Sequence, residues 1–185
     1  MADSTSFPRQ VVAVSGSLHA PSKSTTLLNA ITSAIATRAE VEVEVRLIEV
    51  SELADGLGQA LHPGALSEPA REAIERIESA DLLVVASPVY RASYTGLFKH
   101  LFDLVGQAAL AGTPVLVAAS GGSERHALVI EHQLKPLFAF FEADVLPIGV
   151  YAKDADYAEL PALAEGLQAL VDRAADRAAG VLSRR

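Results

Sequence analysis

The sequence predicts an α/β protein with a single doubly wound, five-stranded parallel sheet. Two observations support this fold class. Five strand-like segments alternate with helical patterns along the 185 residues, and three of the strands, V-V-A-V-S, L-L-V-V-A and V-L-V-A-A, are continuous apolar runs. Such runs are typical of parallel strands that are covered on both faces. Right-handed crossovers and the usual strand order 2-1-3-4-5 then place a ligand site between the first and third strands.

The predicted strands are residues 10–15, 42–47, 81–86, 114–119 and 145–150. The second follows the alternating pattern V-E-V-E-V-R-L, which fits a strand near the edge of the sheet. Helical patterns lie between and after the strands, with apolar stripes such as Leu27, Leu28 and Ile31 in the first of them. The predicted helices are residues 24–37, 68–79, 96–105, 127–141 and 160–182.

Length and composition limit the classes of protein to be considered. A chain of 185 residues suits one domain, residues 1–185, in which we expect residues 1–9 to be flexible. No apolar run approaches the roughly 20 residues of a membrane span, and the polar first ten residues do not resemble a signal peptide. The net charge of −8 disfavours binding to nucleic acid. We therefore expect a soluble protein that binds neither membranes nor nucleic acid.

Residue types that support metal or thiol chemistry are scarce. The chain has no cysteine, which removes disulfides and thiolate catalysis and agrees with a cytoplasmic location. Its five histidines show no metal-ligand spacing, so no metal site is predicted. The G-x-S-x-G pattern of a hydrolase elbow is also missing.

The segment V-V-A-V-S-G-S-L-H-A-P-S-K-S-T-T-L-L, residues 11–28, indicates an anion site. The first N–H groups of a helix lack acceptors within the helix, and the helix dipole adds positive charge there. Ser17, Ser24, Thr25 and Thr26 can add hydroxyl donors. The segment matches neither a P-loop nor G-x-G-x-x-G, so it suits the phosphate of a mononucleotide such as FMN. An ordinary strand-to-helix loop with a Ser or Thr cap is the alternative.

Two further loops should open at the same edge of the sheet. In S-P-V-Y-R-A-S-Y-T-G, residues 87–96, Pro88 fixes the backbone and Tyr90 offers an amphipathic ring to a flat ligand. In S-G-G-S, residues 120–123, Gly121 and Gly122 allow a ring system to approach the backbone closely, although a Gly-Gly pair also occurs in plain turns.

These segments together resemble the NAD(P)H-dependent FMN reductases with a flavodoxin-like fold, over about residues 11–151. More narrowly, residues 121–138, which include E-H-Q-L-K-P-L-F, are similar to the branch that serves two-component sulfonate monooxygenases. The resemblance implies that one group of residues binds the FMN phosphate, a second lines the isoalloxazine, and a third covers its polar edge. His19 stands where relatives often carry arginine, which puts a direct charge pairing with the phosphate in doubt. The three groups are Ser17, Ser24, Thr25 and Thr26; Pro88, Val89 and Tyr90; and Gly121, Gly122 and Ser123.

The resemblance implies that hydride passes from NADH or NADPH to FMN, and that reduced FMN leaves for an FMN-dependent monooxygenase that desulfonates a sulfonate. The cofactor carries this chemistry, so few catalytic side chains are needed. Two alternatives remain open. One is a flavoprotein that retains FMN and reduces a quinone, an azo dye or a metal ion, and the other is a non-catalytic electron carrier. The sequence does not distinguish NADH from NADPH.

The predicted helix 127–141 contains Pro136, which removes one N–H and crowds the carbonyl of His132. Either a π-bulge or a simple proline kink would accommodate it. The sulfonate-linked reductases are similar in having a one-residue insertion in this helix, at a tetramer interface near the flavin. The resemblance therefore implies that His132 marks this insertion and that it is associated with flavin release.

We expect the helices 96–105 and 127–141 to build a homodimer or homotetramer that completes the flavin pocket. The motivation is a set of phenylalanines larger than one face of a single domain needs, although these side chains could also belong to the core. The set is Phe98, Phe102, Phe138, Phe140 and Phe141.

Overall fold

The computed structural model describes residues 7–157 and 159–184. Residues 1–6, most of the segment expected to be flexible, lie outside the described residues, and Arg9 already belongs to the first strand. All strand pairs are parallel and follow the order β2-β1-β3-β4-β5, with β6 also paired to β4, which confirms the predicted doubly wound sheet. The strands are β1 (Arg9–Ser15), β2 (Val43–Glu49), β3 (Leu82–Pro88), β4 (Pro114–Gly121), β5 (Asp144–Val145) and β6 (Val150–Lys153).

The predicted fifth strand, residues 145–150, was wrong in its extent. Its position in the sheet is shared by β5 and β6, which pair with the two ends of β4. Pro147 lies between them and has no N–H for the ladder, which accounts for the interruption. The second piece continues to Lys153, so the sheet reaches further towards its carboxyl edge than the sequence pattern indicated.

Helices cover both faces of the sheet. The helices α1 and α6 pack with β1 residues Val11 and Ala13 on one face, whereas α3, α4 and α5 pack with Val12 and Val14 on the other. The predicted helix 160–182 begins later, because Pro161 and a bridge between Tyr157 and Leu163 precede it. The helices are α1 (Lys23–Arg38), α2 (Ala54–Leu57), α3 (Glu68–Glu78), α4 (Gly96–Asp103), α5 (Lys135–Phe140) and α6 (Glu165–Leu182), with 3₁₀ turns at Pro63–Ala65, Glu124–His126 and Asp154–Asp156.

The helix predicted at residues 127–141 consists of two differently wound parts. A π-helix, Ile130–Leu134, contains His132 and continues directly into α5. The N–H of Lys135 donates to the carbonyl of Ile130, five residues earlier, which is the π pattern. Of the two arrangements that would accommodate Pro136, a π-bulge and a simple kink, the helix therefore adopts the π-bulge.

Most of the phenylalanine set belongs to the core. Phe102 packs against Phe98 and Phe138, with ring centroids 4.8 Å and 4.9 Å apart. Phe141 is also buried, whereas Phe140 is 64% exposed. Four of the five rings thus fill the space between the sheet and its helices, and within this set Phe140 alone is largely exposed. The inference that these phenylalanines exceed what a single domain can bury was therefore wrong for four of them.

A buried threonine ties the loop after β3 to the loop after β1. Thr95 Oγ1 donates to the Gly16 carbonyl at 2.7 Å, and it caps α4 by accepting from the N–H of Phe98 at 3.4 Å. The N–H of Thr95 in turn donates to Ser87 Oγ at 3.1 Å. Because Thr95 is only 1% exposed, no water can replace these partners.

Replacing Thr95 by valine is expected to lower the free energy of unfolding by about 1–3 kcal/mol, because the Gly16 carbonyl loses its donor and α4 loses its cap. Thr95→Ser keeps the hydroxyl and should cost about 1 kcal/mol or less, since it removes only a methyl group. Urea unfolding of the two variants measures the difference. Equal midpoints for valine and serine would show that the hydroxyl does not stabilise the fold.

Candidate functional site

A cavity of about 370 Å³ opens at the carboxyl ends of β1, β3 and β4, where the doubly wound sheet predicts a ligand site. We call it the edge cavity. Its walls come from the loops after these three strands, from the start of α1 and from the segment after β6. The lining residues are Ser17, His19, Pro21, Ser22, Lys23, Ser24, Pro88, Val89, Tyr90, Ser120, Gly121, Gly122, Asp154 and Leu160.

The first turn of α1 forms the polar floor of the edge cavity. Ser22 is the N-cap, with extended backbone, and its Oγ accepts from the N–H of Thr25 at 3.2 Å. The N–H groups of Lys23 and Ser24 lie in the turn where a helix offers them no acceptor. Ser24 Oγ is hydrogen-bonded to Ser120 Oγ at 2.6 Å, and Ser17 Oγ donates to the carbonyl of His19 at 3.0 Å. These groups together make a site for an anion.

The hydroxyls of Thr25 and Thr26 do not line the edge cavity. Thr25 Oγ1 donates to Glu49 Oε1 at 2.8 Å, and Thr26 Oγ1 donates to the Ser22 carbonyl at 3.0 Å. Successive helical residues are rotated by about 100°, so three consecutive hydroxyls cannot face one point. Sequence reasoning missed Ser22, although its position before the helix is the N-cap signal.

The loop after β3 folds back as a tight hairpin, Tyr90 to Ser93. The N–H of Tyr90 donates to the Ser93 carbonyl at 2.8 Å, and the reverse bond is 3.1 Å long. Arg91 and Ala92 both have positive φ, 51° and 70°, which costs side-chain-bearing residues backbone energy and often marks a functional site. The hairpin leaves Tyr90 43% exposed beside the cavity.

The loop after β4 presents backbone to the edge cavity. A Cβ on Gly121 would lie 2.5 Å from the hydroxyl of Tyr151, which itself donates to the Ser123 carbonyl at 2.6 Å. Burial, reinforced by Glu124, raises the pKa of Tyr151, so the hydroxyl stays a donor at neutral pH. Gly122 has open space, since the nearest atom to a Cβ there is Asp154 Oδ2 at 4.0 Å. Ser123 lies behind the glycines and is not among the lining residues.

An ion pair crosses one side of the edge cavity. Lys23 Nζ lies 2.8 Å from Asp154 Oδ1 and 5.6 Å from the ring centroid of Tyr157. The Tyr157 hydroxyl donates to the Lys23 carbonyl at 3.1 Å, and burial raises its pKa, so it remains a donor. Neither Lys23 nor Asp154 was predicted as a site residue, because no sequence pattern indicates contact between residues this far apart in the chain.

His132 and Pro136 line a different cavity. This second cavity, about 590 Å³, lies between α4 and the π-helix with α5, and we call it the helix groove. Its walls are largely aromatic and aliphatic and include Tyr94 and Phe140. A hydrogen bond links the hairpin beside the edge cavity to a wall of the helix groove: Ser93 Oγ donates to Gln133 Oε1 at 3.0 Å.

Neither metal ligands nor a membrane span are found in the part of the chain that the structure describes. Within residues 7–157 and 159–184, no group of three or more His, Cys, Asp or Glu side chains could hold a metal ion. No helix among those residues is long and apolar enough to cross a membrane.

The residues of the edge cavity fit FMN. Free N–H groups at a helix start, serine hydroxyls and an ammonium group are the donors that a phosphate requires. The open space over Gly122 lets a flat ring approach the backbone, and the exposed ring of Tyr90 stands beside it. The same cavity thus offers polar donors for a phosphate together with backbone and an aromatic ring for a flat ring system, as a phosphorylated flavin needs.

Comparisons with known proteins agree with this geometry. The family model described as NADPH-dependent FMN reductase matches residues 9–158. The chain is 50% identical to "NADH-dependent FMN reductase SfnF" of Pseudomonas fluorescens, over 94% of this chain and 92% of the relative. It is 49% identical to "FMN reductase (NADPH)" of Pseudomonas aeruginosa, over 93% and 91%. The structure of an oxidoreductase from Corynebacterium diphtheriae superposes with a TM-score of 0.85 at 34% identity, over 97% of this chain and all of that one.

Gly121→Ala is expected to destabilise the fold by about 1–3 kcal/mol, because its methyl group would overlap the Tyr151 hydroxyl. Tyr151→Phe alone should cost about 1 kcal/mol through the lost bond to Ser123. The double variant should be more stable than the sum of the two costs predicts, since phenylalanine leaves room for the methyl group. Urea unfolding of all four proteins completes this double-mutant cycle, and strict additivity would contradict the overlap.

Proposed function

Since the chain belongs to the NADPH-dependent FMN reductase family, we propose that it transfers hydride from NADH or NADPH to FMN. The observation that carries this proposal is the donor set at the start of α1, which faces the edge cavity beside the Gly121–Gly122 backbone. The named relatives include both NADH-dependent and NADPH-dependent reductases, so the choice of nicotinamide stays open. The whole chain, residues 1–185, would act as one reductase domain.

The protein's own part in this reaction is binding and orientation. The N–H groups of Lys23 and Ser24, with the hydroxyls of Ser17, Ser22 and Ser24, would hold the phosphate. FMN, when bound, supplies the atom that accepts hydride, and the protein needs no acid or base of its own for that transfer. Thr25 and Thr26 would contribute indirectly, because their hydroxyl bonds fix the turn that carries these donors. His19 is exposed and lines the edge cavity, so it would contact the phosphate only from the rim.

The two remaining loops would orient the ring system. Pro88 and Val89 form the wall after β3, and the N–H of Val89 is fixed by the Ser120 carbonyl at 2.8 Å. Tyr90 would stack on the exposed side of the ring. The backbone of Gly121 and Gly122 would face the polar edge, with Ser123 holding that turn through Tyr151.

We further propose that reduced FMN leaves for an FMN-dependent monooxygenase, for desulfonation of a sulfonate, and that this takes place in the cytoplasm. Support comes from the resemblance of E-H-Q-L-K-P-L-F to the sulfonate-linked reductases and from the π-helix at that segment. A flavoprotein that retains FMN for reduction of quinones, azo dyes or metal ions is the alternative. The exposure of Tyr90 and Gly122 in the edge cavity favours release over retention.

A homodimer or homotetramer would bring a second copy against the helix groove. The groove is lined largely by aromatic and aliphatic side chains, and one of them, Phe140, is 64% exposed. An exposed aromatic side chain in an apolar groove is typical of surfaces that bind another protein. Through Gln133 and Ser93, a neighbour in this groove would also contact the wall that carries Tyr90.

Ser24→Ala should raise the dissociation constant for FMN several-fold, because it removes one hydroxyl worth about 1 kcal/mol, and should leave that for riboflavin nearly unchanged. Thr26→Ala, two residues further along α1, is the matched control and should change FMN binding less, because the Thr26 hydroxyl donates to the Ser22 carbonyl. Flavin fluorescence titration and FMN-dependent oxidation of NADH and NADPH measure both properties. A parent protein that oxidises neither nicotinamide in the presence of FMN would overturn the proposed function.

Deleting His132 should restore α-helical winding and rotate the following residues by about 100° relative to the helix before them. We expect the variant to purify yellow with retained FMN, to accept hydride once, and to pass little reduced flavin to an oxygenase. Sedimentation velocity compares its assembly with that of the parent. A folded variant that is colourless and turns over free FMN at the parental rate would show that His132 has no part in release.

A further inference from the structure

Three carboxylates lie in the segments that follow β4 and β6, and two of them share one lysine. Lys153 Nζ lies 3.0 Å from Glu124 Oε2 and 3.4 Å from Asp156 Oδ1. Hydrogen bonding to Glu124, with the charge of Asp156, raises the pKa of Lys153. Asp154, the third carboxylate, is paired instead with Lys23 at 2.8 Å.

The two ion pairs differ in where they lie. Lys23 and Asp154 both line the edge cavity, whereas Lys153, Glu124 and Asp156 do not. The ammonium group of Lys23 stands at the positive end of α1, and the Asp154 carboxylate faces Gly122. For an anion bound at the start of α1, the ammonium group that lines the cavity is therefore already paired with a carboxylate.

The pair between Lys23 and Asp154 is easily opened. Their side chains are 39% and 60% exposed, and exposed pairs of this kind contribute little to stability. A phosphate monoester carries about −1.5 to −2 charges and three acceptor oxygens. It should therefore displace the carboxylate from Lys23, although the displaced negative charge then stays in the same cavity.

We propose that Asp154 is a positioning residue that weakens FMN binding: it competes with the flavin phosphate for the Lys23 ammonium group and repels the bound phosphate. This inference rests on the proposed function, and it makes release of FMN a property of the charge at one side chain. It also makes the effect specific for flavins that carry a phosphate. Riboflavin has the same ring and no phosphate, so its dissociation constant should not depend on Asp154.

The matched test compares two neutral replacements. Asp154→Asn should lower the dissociation constant for FMN several-fold to tenfold and slow FMN dissociation by a similar factor, with the riboflavin constant unchanged. Glu124→Gln removes the same charge from the neighbouring pair, outside the cavity, and should change both constants by less than twofold. Asp154→Glu restores the charge and should return FMN affinity towards that of the parent. Raising the salt concentration should reduce the advantage of Asp154→Asn.

A double-mutant cycle locates the effect at Lys23. Lys23→Gln should weaken FMN binding, and adding Asp154→Asn to it should give a smaller gain than in the parent, because no ammonium group remains to be released. The inference is overturned if Asp154→Asn and Glu124→Gln act alike, or if riboflavin and FMN tighten together. A parent protein that binds riboflavin and FMN equally, or neither of them, would instead refute the proposed phosphate site and the inference with it.

Discussion

The site depends on the hydrogen bond from Thr95 Oγ1 to the Gly16 carbonyl. Three loops leave three different strands, and a cavity exists only if they are held at fixed distances. The Thr95 bond joins the first loop to the second, and the Ser120 carbonyl and hydroxyl join the third to both, through Val89 and Ser24. All these bonds are buried or partly buried, where an unpaired polar group is costly. The donors for an anion are therefore arranged before any ligand binds.

The sequence was a good guide where burial decides the structure. Central strands covered on both faces must be apolar throughout, so β1, β3 and β4 were predicted within two residues at either end. The alternation of apolar and polar residues predicted β2 as a strand near the edge of the sheet. The predicted extent of the fifth strand was wrong, because an apolar pattern does not show that Pro147 lacks the N–H that the ladder needs. The π-helix could be predicted only as one of two solutions, since Pro136 demands a change of winding and does not specify which.

The candidate site was predictable in part for a similar reason. Loops that follow parallel strands meet at one edge, so Ser17, Tyr90 and Gly121 could be brought together from topology alone. The direction of each side chain could not, and the hydroxyls of Thr25 and Thr26 turned out to serve Glu49 and the Ser22 carbonyl. The pair of Lys23 and Asp154 depends on how β6 is placed beside β4, which no local pattern contains.

The hydrogen bond between Ser93 and Gln133 has a consequence for the energetics of the whole chain. The hairpin holding Tyr90 is a wall of the edge cavity, and the π-helix holding Gln133 is a wall of the helix groove. Arg91 and Ala92 occupy backbone conformations that cost energy, and the bond from Ser93 to Gln133 is one of the contacts that hold the hairpin in this shape. A molecule bound in the helix groove that preserves or breaks the bond to Gln133 would therefore change the free energy of binding beside Tyr90, and by linkage the change would be reciprocal. The free energies of binding in the edge cavity and in the helix groove are in this sense coupled.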